Sequence, residues 1–196
     1  MTTELIEREP APAPGLAAAK SDARASLGGA KLAYTTRGVR LEAMGAILAG
    51  DDVRPRPGDV VLARVTDIGQ HKRIELHDGR RATLFPGDHV VVCFGNRYAP
   101  DQFEARVPER LEPCDLVAAG GIASRMHASH TSMSSPTAIA PLGLLAYEDG
   151  RRINLRDWAL PRAATQPDRP ATIAVLGTSM NAGKTTTAAN LIHGLA

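Results

Sequence analysis

The residues best suited to chemistry lie near the C-terminal end, where 177–186 read GTSMNAGKTT. Backbone amides in a loop of small residues can bind phosphate oxygens, because no large side chain blocks the approach. Lys184 supplies a cation for the β- and γ-phosphates of a nucleotide and is the predicted catalytic residue, and Thr185 offers a hydroxyl as the predicted Mg²⁺ ligand. The predicted nucleotide-binding residues are Gly177, Thr178, Ser179, Met180, Asn181, Ala182, Gly183, Lys184, Thr185 and Thr186.

The sequence on both sides of this loop supports that interpretation. Residues 172–177, TIAVLG, are β-branched or aliphatic and predict a strand buried on both faces of a parallel sheet. The residues after the loop predict a helix, whose N-terminus would add partial positive charge next to a phosphate. Its apolar face is predicted to carry Ala188, Ala189, Leu191, Ile192 and Leu195. The alternative is a glycine-rich connection between strand and helix with an exposed Lys184.

Segment 172–196 resembles the first phosphate loop of P-loop NTPases of the SIMIBI branch, which includes dethiobiotin synthetases and ParA- or MinD-like ATPases. Five residues lie between Gly177 and Gly183, a spacing similar to that of dethiobiotin synthetases, which also begin with Gly-Thr and end with Gly-Lys-Thr. The continuation TTTAANL is similar to partition ATPases. Those proteins carry a signature lysine that reaches the partner subunit's nucleotide, and Ser179 occupies that position here.

This resemblance implies ATP or GTP with Mg²⁺ as cofactors, an unknown small-molecule substrate and a possible homodimer. It further implies phosphoryl transfer, either to activate a small carboxylate-type substrate or to drive a conformational switch. We therefore expect a P-loop NTPase or an ATP-dependent ligase or synthetase. The alternative is a non-enzymatic β-barrel module for binding or interaction, with a purely structural C-terminal βα segment.

Such a nucleotide-binding domain needs further parallel strands and an acidic residue at a later strand end. Neither follows Ala196, so we expect the chain to be the N-terminal part of a longer protein, with weak nucleotide binding and negligible hydrolysis on its own. Asp67 and Asp115 follow or begin predicted strands, but both fit surface turns better than the missing acid. The alternative is a short protein whose final βα unit docks on the upstream domain.

The middle of the chain predicts a β-rich, barrel-like domain, which makes the fold class α/β overall. Residues 60–68 alternate with period two, and 89–95, 115–120 and 138–150 contain further apolar strands. Asp-Gly pairs predict hairpin turns at 78–79 and 149–150. The predicted organisation is a flexible tail over 1–30, a strand and helix lead-in over 31–58, a β-rich domain over 59–160, a linker over 161–170 and the start of a P-loop NTPase domain over 171–196.

Two shorter predictions concern the N-terminal part. A short alanine-rich helix is possible around 16–20 within the tail, and 31–36 could be a strand. Residues 39–50 place Val39, Leu41 and Met44 on one helical face with Ile47 and Leu48, and Gly50 is a usual helix end, so a helix is predicted there.

Other groups of polar residues leave alternatives open. His127 and His130 could form a metal site with Cys93 and Cys114, but the cysteines are too far apart in sequence for a compact zinc module. The serine-rich residues 120–137 predict a surface loop, either mobile or able to contact a substrate. Residues 68–73 and 95–110 predict polar connections, in which an anionic ligand could bind or the side chains could simply be solvated. The candidates for that anionic site are Arg97, Tyr98, Arg106 and Arg110.

Composition argues against nucleic-acid-binding, membrane and secreted proteins. The 196 residues carry a formal charge of +2 with scattered arginines, which argues against nucleic acid as a partner, and 4% aromatic residues predict an aliphatic core. The sequence contains neither a signal peptide nor an apolar run long enough for a membrane span. With two cysteines and no disulfide framework, the sequence predicts a cytoplasmic protein with reduced thiols that does not associate with membranes.

Overall fold

The computed structural model describes residues 19–161 and 170–195, which are mainly β-structure. Twelve strands occur in these residues: β1 Ala19–Asp22, β2 Lys31–Leu32, β3 Ala46–Ala49, β4 Val60–Asp67, β5 Arg73–Glu75, β6 Arg81–Thr83, β7 His89–Phe94, β8 Arg97–Tyr98, β9 Phe103–Arg106, β10 Cys114–Ala118, β11 Ile122–Ser129 and β12 Thr137–Ala146. The α-helices are α1 Arg24–Leu27 and α2 Lys184–Leu195, and short 3₁₀ helices cover Tyr34–Thr36, Leu41–Ala43 and Leu155–Trp158.

Ten strands form one mixed sheet, and β5 and β6 form a separate hairpin. The main strand order is β1-β3-β12-β4-β7-β11-β9-β8, with β2 beside β7 and with β10 paired to both β11 and β12. Strand β7 is parallel to β2 and β11, whereas the other neighbours are antiparallel. Because β10 joins β11 to β12, the sheet curls round its core, and further strands extend beyond the curl. The predicted β-rich domain is confirmed as a large mixed sheet with few helices, and because β1, β3, β8 and β9 continue the sheet outside the curl, it is not simply a closed barrel.

Strand β4 lies between two hydrophobic clusters. Val61, Ala63 and Val65 belong to one cluster, and Val60 and Leu62 belong to the other. This division is the two-residue alternation predicted for 60–68, and it arises because successive side chains of a strand point to opposite faces. The centre of the sheet is thus covered on both faces by aliphatic side chains, as expected from the low aromatic content.

Both predicted Asp-Gly hairpins are present. Gly79 has φ +82° in the turn between β5 and β6, and Gly150 has φ +88° in the turn that follows β12. The second turn returns the chain so that Arg152 bridges Ala146. Positive φ costs glycine little, which is why these turns could be located from the sequence.

The helix predicted over 39–50 is wrong. Leu41–Ala43 form one 3₁₀ turn, and Ala46–Ala49 form β3, which pairs with β1 and β12. The three residues Ala46, Ile47 and Leu48 are all buried, and they alternate between the two hydrophobic clusters. A helix could not place consecutive side chains on opposite faces in this way, so tertiary pairing overrides the apparent helical period.

Several strands escaped prediction because their sequences are polar. Residues 120–137, predicted as a surface loop, contain β11, which pairs with β7, β9 and β10. The predicted polar connection over 95–110 contains β8 and β9. Strand β8 and the second half of β11 carry mostly polar, exposed side chains, and β9 buries only Phe103 and Ala105. The apolar alternation that identifies buried strands is therefore missing or very short in these segments.

The N-terminal predictions are only partly covered by the described residues. Residues 1–18 lie outside them, but Ala19–Asp22 form β1, and Ala23 and Leu27 are buried, so 19–30 is not a flexible tail. The possible helix over 16–20 has its last two residues in β1. The predicted strand over 31–36 is limited to β2 and then becomes 3₁₀ helix. Most of the predicted linker, 162–169, also lies outside the described residues.

The C-terminal segment agrees with its prediction only in part. Helix α2 forms at the predicted place, but 172–177 has no strand structure, so that strand prediction is wrong for this chain. The physical reason is that a strand needs neighbouring strands for its backbone hydrogen bonds. Ile173 and Leu176 remain exposed. None of the helices described has the length and apolarity needed to cross a bilayer.

Candidate phosphate-binding loop

The loop that precedes α2 is tightly curved. Asn181 has φ +60° and Gly183 has φ +80°, so two residues of the loop adopt left-handed backbone conformations. Asparagine and glycine tolerate this region better than other residues, which explains locally why these types occur here. The curvature directs the chain into α2, which begins directly after Gly183.

Lys184 folds back across this curve. Its Nζ donates a hydrogen bond to the backbone carbonyl of Ser179, five residues earlier in the chain. Its aliphatic stem lies against Gly177, where an added Cβ would be 2.9 Å from Lys184 Cγ and 3.0 Å from Ala182 Cβ. The structure therefore brings Gly177, Ser179 and Ala182 together beside the side chain of Lys184.

The first turn of α2 presents backbone donors beside this lysine. The N–H of Thr187 donates to the carbonyl of Gly183 at 2.9 Å. The N–H groups of Lys184, Thr185 and Thr186 precede this bond, and helix geometry leaves such groups without intrahelical acceptors. Thr185 and Thr186 are exposed, so the hydroxyl predicted as a Mg²⁺ ligand is accessible.

Two predicted binding residues point away from the lysine. The Asn181 side-chain amide donates to the carboxylate of Asp101, and Met180 Sδ lies 3.8 Å from Arg97 Nη2. These contacts join the loop to the chain around β8 and β9. Met180 and Asn181 could therefore contact a phosphate only through their backbone N–H groups. Thr178, another predicted binding residue, is exposed in the loop.

Arg97 and His71 are partly buried near the loop, and the sequence did not predict that these two residues interact. Arg97 donates to the Val117 carbonyl and to Gln102 Oε1, so this candidate anion ligand is turned inward. His71 Nδ1 lies 3.1 Å from the Leu116 carbonyl. Burial lowers the pKa of His71, the positive charge of Arg97 lowers it further, and the Leu116 hydrogen bond opposes the shift.

The alternative metal site is not assembled in the described part of the chain. Cys93 and Cys114 are buried free thiols, and burial raises the pKa of both, that of Cys114 to about 12. His130 instead contacts Ser132 Oγ through Nδ1 at 2.7 Å. Within 19–161 and 170–195, no three His, Cys, Asp or Glu side chains are grouped as metal ligands.

The chain was compared with protein-family models, curated proteins and solved structures. No family model, curated protein or solved structure matches the chain. Functional inference therefore depends on the geometry of the loop and on the resemblance of 172–196.

Proposed function

We propose that 177–186 binds the polyphosphate of ATP or GTP with Mg²⁺, as part of a P-loop NTPase or an ATP-dependent ligase or synthetase. The observation that carries this proposal is the position of Lys184, whose ammonium group lies inside the curve of the loop, on the Ser179 carbonyl. The close fit of its stem on Gly177 supports the same function, because a Cβ at that position would fill the space. An interior cation and a side-chain-free wall are what a phosphate group requires.

Each part of the loop has a separate role in the proposed site. Lys184 exchanges its neutral carbonyl acceptor for phosphate oxygens, a charge-assisted and therefore stronger interaction. The N–H groups at the start of α2 donate to the same phosphates, and the Thr185 hydroxyl is a ligand for the metal ion. Bound Mg²⁺ would neutralise charge on the β- and γ-phosphates. Its other ligands would be water and nucleotide oxygens, as is usual for this ion.

The wider proposal follows from the resemblance. A small carboxylate-type substrate would accept the phosphoryl group, or nucleotide binding would drive a conformational switch, with a homodimer as a possible assembly. A cytoplasmic location remains part of the proposal. The free thiols Cys93 and Cys114 support it, because reduced cysteines are typical of that compartment.

Titration of the ¹⁵N-labelled chain with Mg-ATP and with Mg-GTP tests the loop, because amide shifts report even weak binding. We expect shifts concentrated at 177–186 and about tenfold weaker binding for Lys184→Ala, since a charge-assisted contact is lost. Gly177→Ala should weaken binding as well, because its methyl group collides with the Lys184 stem.

The exposed Lys72 provides the matched control, because Lys72→Ala removes the same charge elsewhere. The proposal fails if Lys184→Ala and Lys72→Ala bind nucleotide as the parent does. That result, with α2 still folded, would favour a β-rich interaction module with a structural C-terminal segment.

A further inference from the structure

A cleft of about 370 Å³ lies on the sheet beside β9 and β11, and its lining is rich in arginine. Arg106 from β9, Arg125 from β11 and Arg110 from the segment that follows β9 all line it. Glu109 and Glu112 also line the cleft, so three guanidinium groups face two carboxylates. The cleft is lined by residues distinct from those of 177–186.

Two of these arginines are direct cross-strand partners. In the antiparallel register of β9 and β11, Arg125 lies opposite Arg106. Like charges in opposing positions repel each other and destabilise a sheet, so the arrangement favours a bound counter-charge. Arg125 has a close carboxylate partner, since Glu112 lies 2.5 Å from Arg125 Nη1, but the partner of Arg106 is looser, since Glu104 lies 3.8 Å from Arg106 Nη2. An anion would therefore add most to the neutralisation of Arg106.

The guanidinium groups remain available to a ligand. The side chains of Arg106 and Arg125 are 71% and 58% exposed despite these ion pairs. Arg110 is exposed and has no ion pair within the residues that the structure describes. The planar guanidinium group carries five N–H donors and matches carboxylate and phosphate oxygens with two parallel hydrogen bonds.

We propose that this cleft binds the oxyanion group, carboxylate or phosphate, of a small metabolite. Arg106, Arg125 and Arg110 hold the anion through their guanidinium groups. Val107 and Pro108 line the same cleft and offer apolar contact to the rest of the ligand. None of its residues belongs to the phosphate-binding loop, so substitutions can test the two sites separately.

The test uses malonate and inorganic phosphate as probes, at about 0.15 M salt so that non-specific attraction is screened. The ¹⁵N-labelled chain is titrated with each probe in the parent and in Lys184→Ala, which removes the loop cation from consideration. We expect saturable shifts at 104–112 and 123–128 in both proteins, and in Lys184→Ala we expect them at those residues alone. Stronger binding of malonate would identify a carboxylate ligand, and stronger binding of phosphate a phosphate ester.

Arg125→Gln should weaken probe binding about tenfold, the effect of one lost charge-assisted contact. Arg110→Gln should also weaken it, and this exposed position keeps the test valid if Arg125→Gln disturbs the strand. The matched control is Arg80→Gln, which removes an 86% exposed arginine from the β5–β6 hairpin. Shifts that do not saturate, or equal losses in the Arg80 and Arg125 variants, would overturn the proposal.

Discussion

Arg152 Nη1 donates a hydrogen bond of 2.9 Å to Oδ2 of Asp59, whose side chain is fully buried. The same carboxylate accepts the Arg56 N–H and the Asn154 side-chain amide, both at 2.9 Å. Asp59 immediately precedes β4, whereas Arg152 and Asn154 follow β12. This one carboxylate therefore fastens the start of the central strand to the last part of the β-rich region.

Removal of this carboxylate is expected to destabilise the β-rich region strongly. Asp59→Ala removes the carboxylate acceptor of the Arg56 N–H, whereas Arg152 and Asn154 keep the Arg54 and Pro57 carbonyls. Loss of an acceptor by a buried donor costs about 1–3 kcal/mol. Urea unfolding followed by circular dichroism measures the loss. Asp52→Ala is the control, because Asp52 is an exposed carboxylate on the connection before β4. Equal unfolding midpoints for the two variants would show that the Asp59 network contributes little.

Two glycines with positive φ allow conformational strain to be separated from steric overlap. Gly121 has φ +99°, and a Cβ there would overlap the Cβ of Ala33, whereas Gly79 has φ +82° and open space around it. Gly79→Ala should cost about 1–2 kcal/mol, the cost of left-handed backbone. Gly121→Ala should cost about 1–3 kcal/mol more, because the clash is added. Chemical denaturation of both variants gives the difference, and equal costs would contradict the packing around Gly121.

Stability should fall as the pH drops below the unfolded-state pKa of His71, about 6.5. The pKa of His71 is lowered in the folded state by burial and by Arg97, so the folded ring resists the proton that the unfolded ring accepts. The unfolded state therefore gains protons first, and the effect is complete once the pH passes below the folded pKa. His71→Asn, which keeps a donor for the Leu116 carbonyl, should flatten this dependence.

Urea midpoints measured between pH 5 and 7.5, a range chosen to bracket the ordinary histidine pKa, test the effect. His77→Gln is the control, because His77 is exposed in the turn region of the β5–β6 hairpin. If His71→Asn and the parent lose stability equally on acidification, another group is responsible.

The two thiols should be inert while the protein is folded. Burial raises the pKa of Cys114 to about 12 and also raises the pKa of Cys93, so almost no thiolate forms near neutral pH. Labelling with a disulfide reagent should be slow in buffer and fast in urea. Because both residues pack inside the sheet, the slow rate should follow the unfolding equilibrium. Rapid labelling of the folded chain would contradict their burial.

The parts of the sheet that depend on neighbouring residues could be predicted from the sequence. The alternation in 60–68 and the Asp-Gly turns depend on neighbouring residues, and the structure contains both features. Strand β11 depends on partners distant in the sequence, and its exposed second half carries Arg125, His127 and Ser129 instead of an apolar pattern. The segment 39–50 failed because a short apolar run has similar spacing in a helix and in a doubly buried strand.

The two proposed sites also differ in whether they depend on neighbouring or on distant residues of the sequence. The loop from Gly177 to Lys184 is contiguous, so its residue types and spacing were enough to nominate it. Arg106 and Arg125 face each other only because of the β9–β11 register, which the sequence did not reveal. Arg97 and Arg106 belonged to one predicted group, but the structure turns the former inward and leaves the latter in the cleft.

The position of β12 has a consequence for biosynthesis. This strand pairs with β3, β4 and β10, and β1 is attached only through β3. During translation, β3, β4 and β10 are synthesised before β12 and lack this pairing partner until residues 137–146 emerge from the ribosome. Formation of non-local pairs is slow, so this waiting nascent chain is the species most in need of chaperone protection.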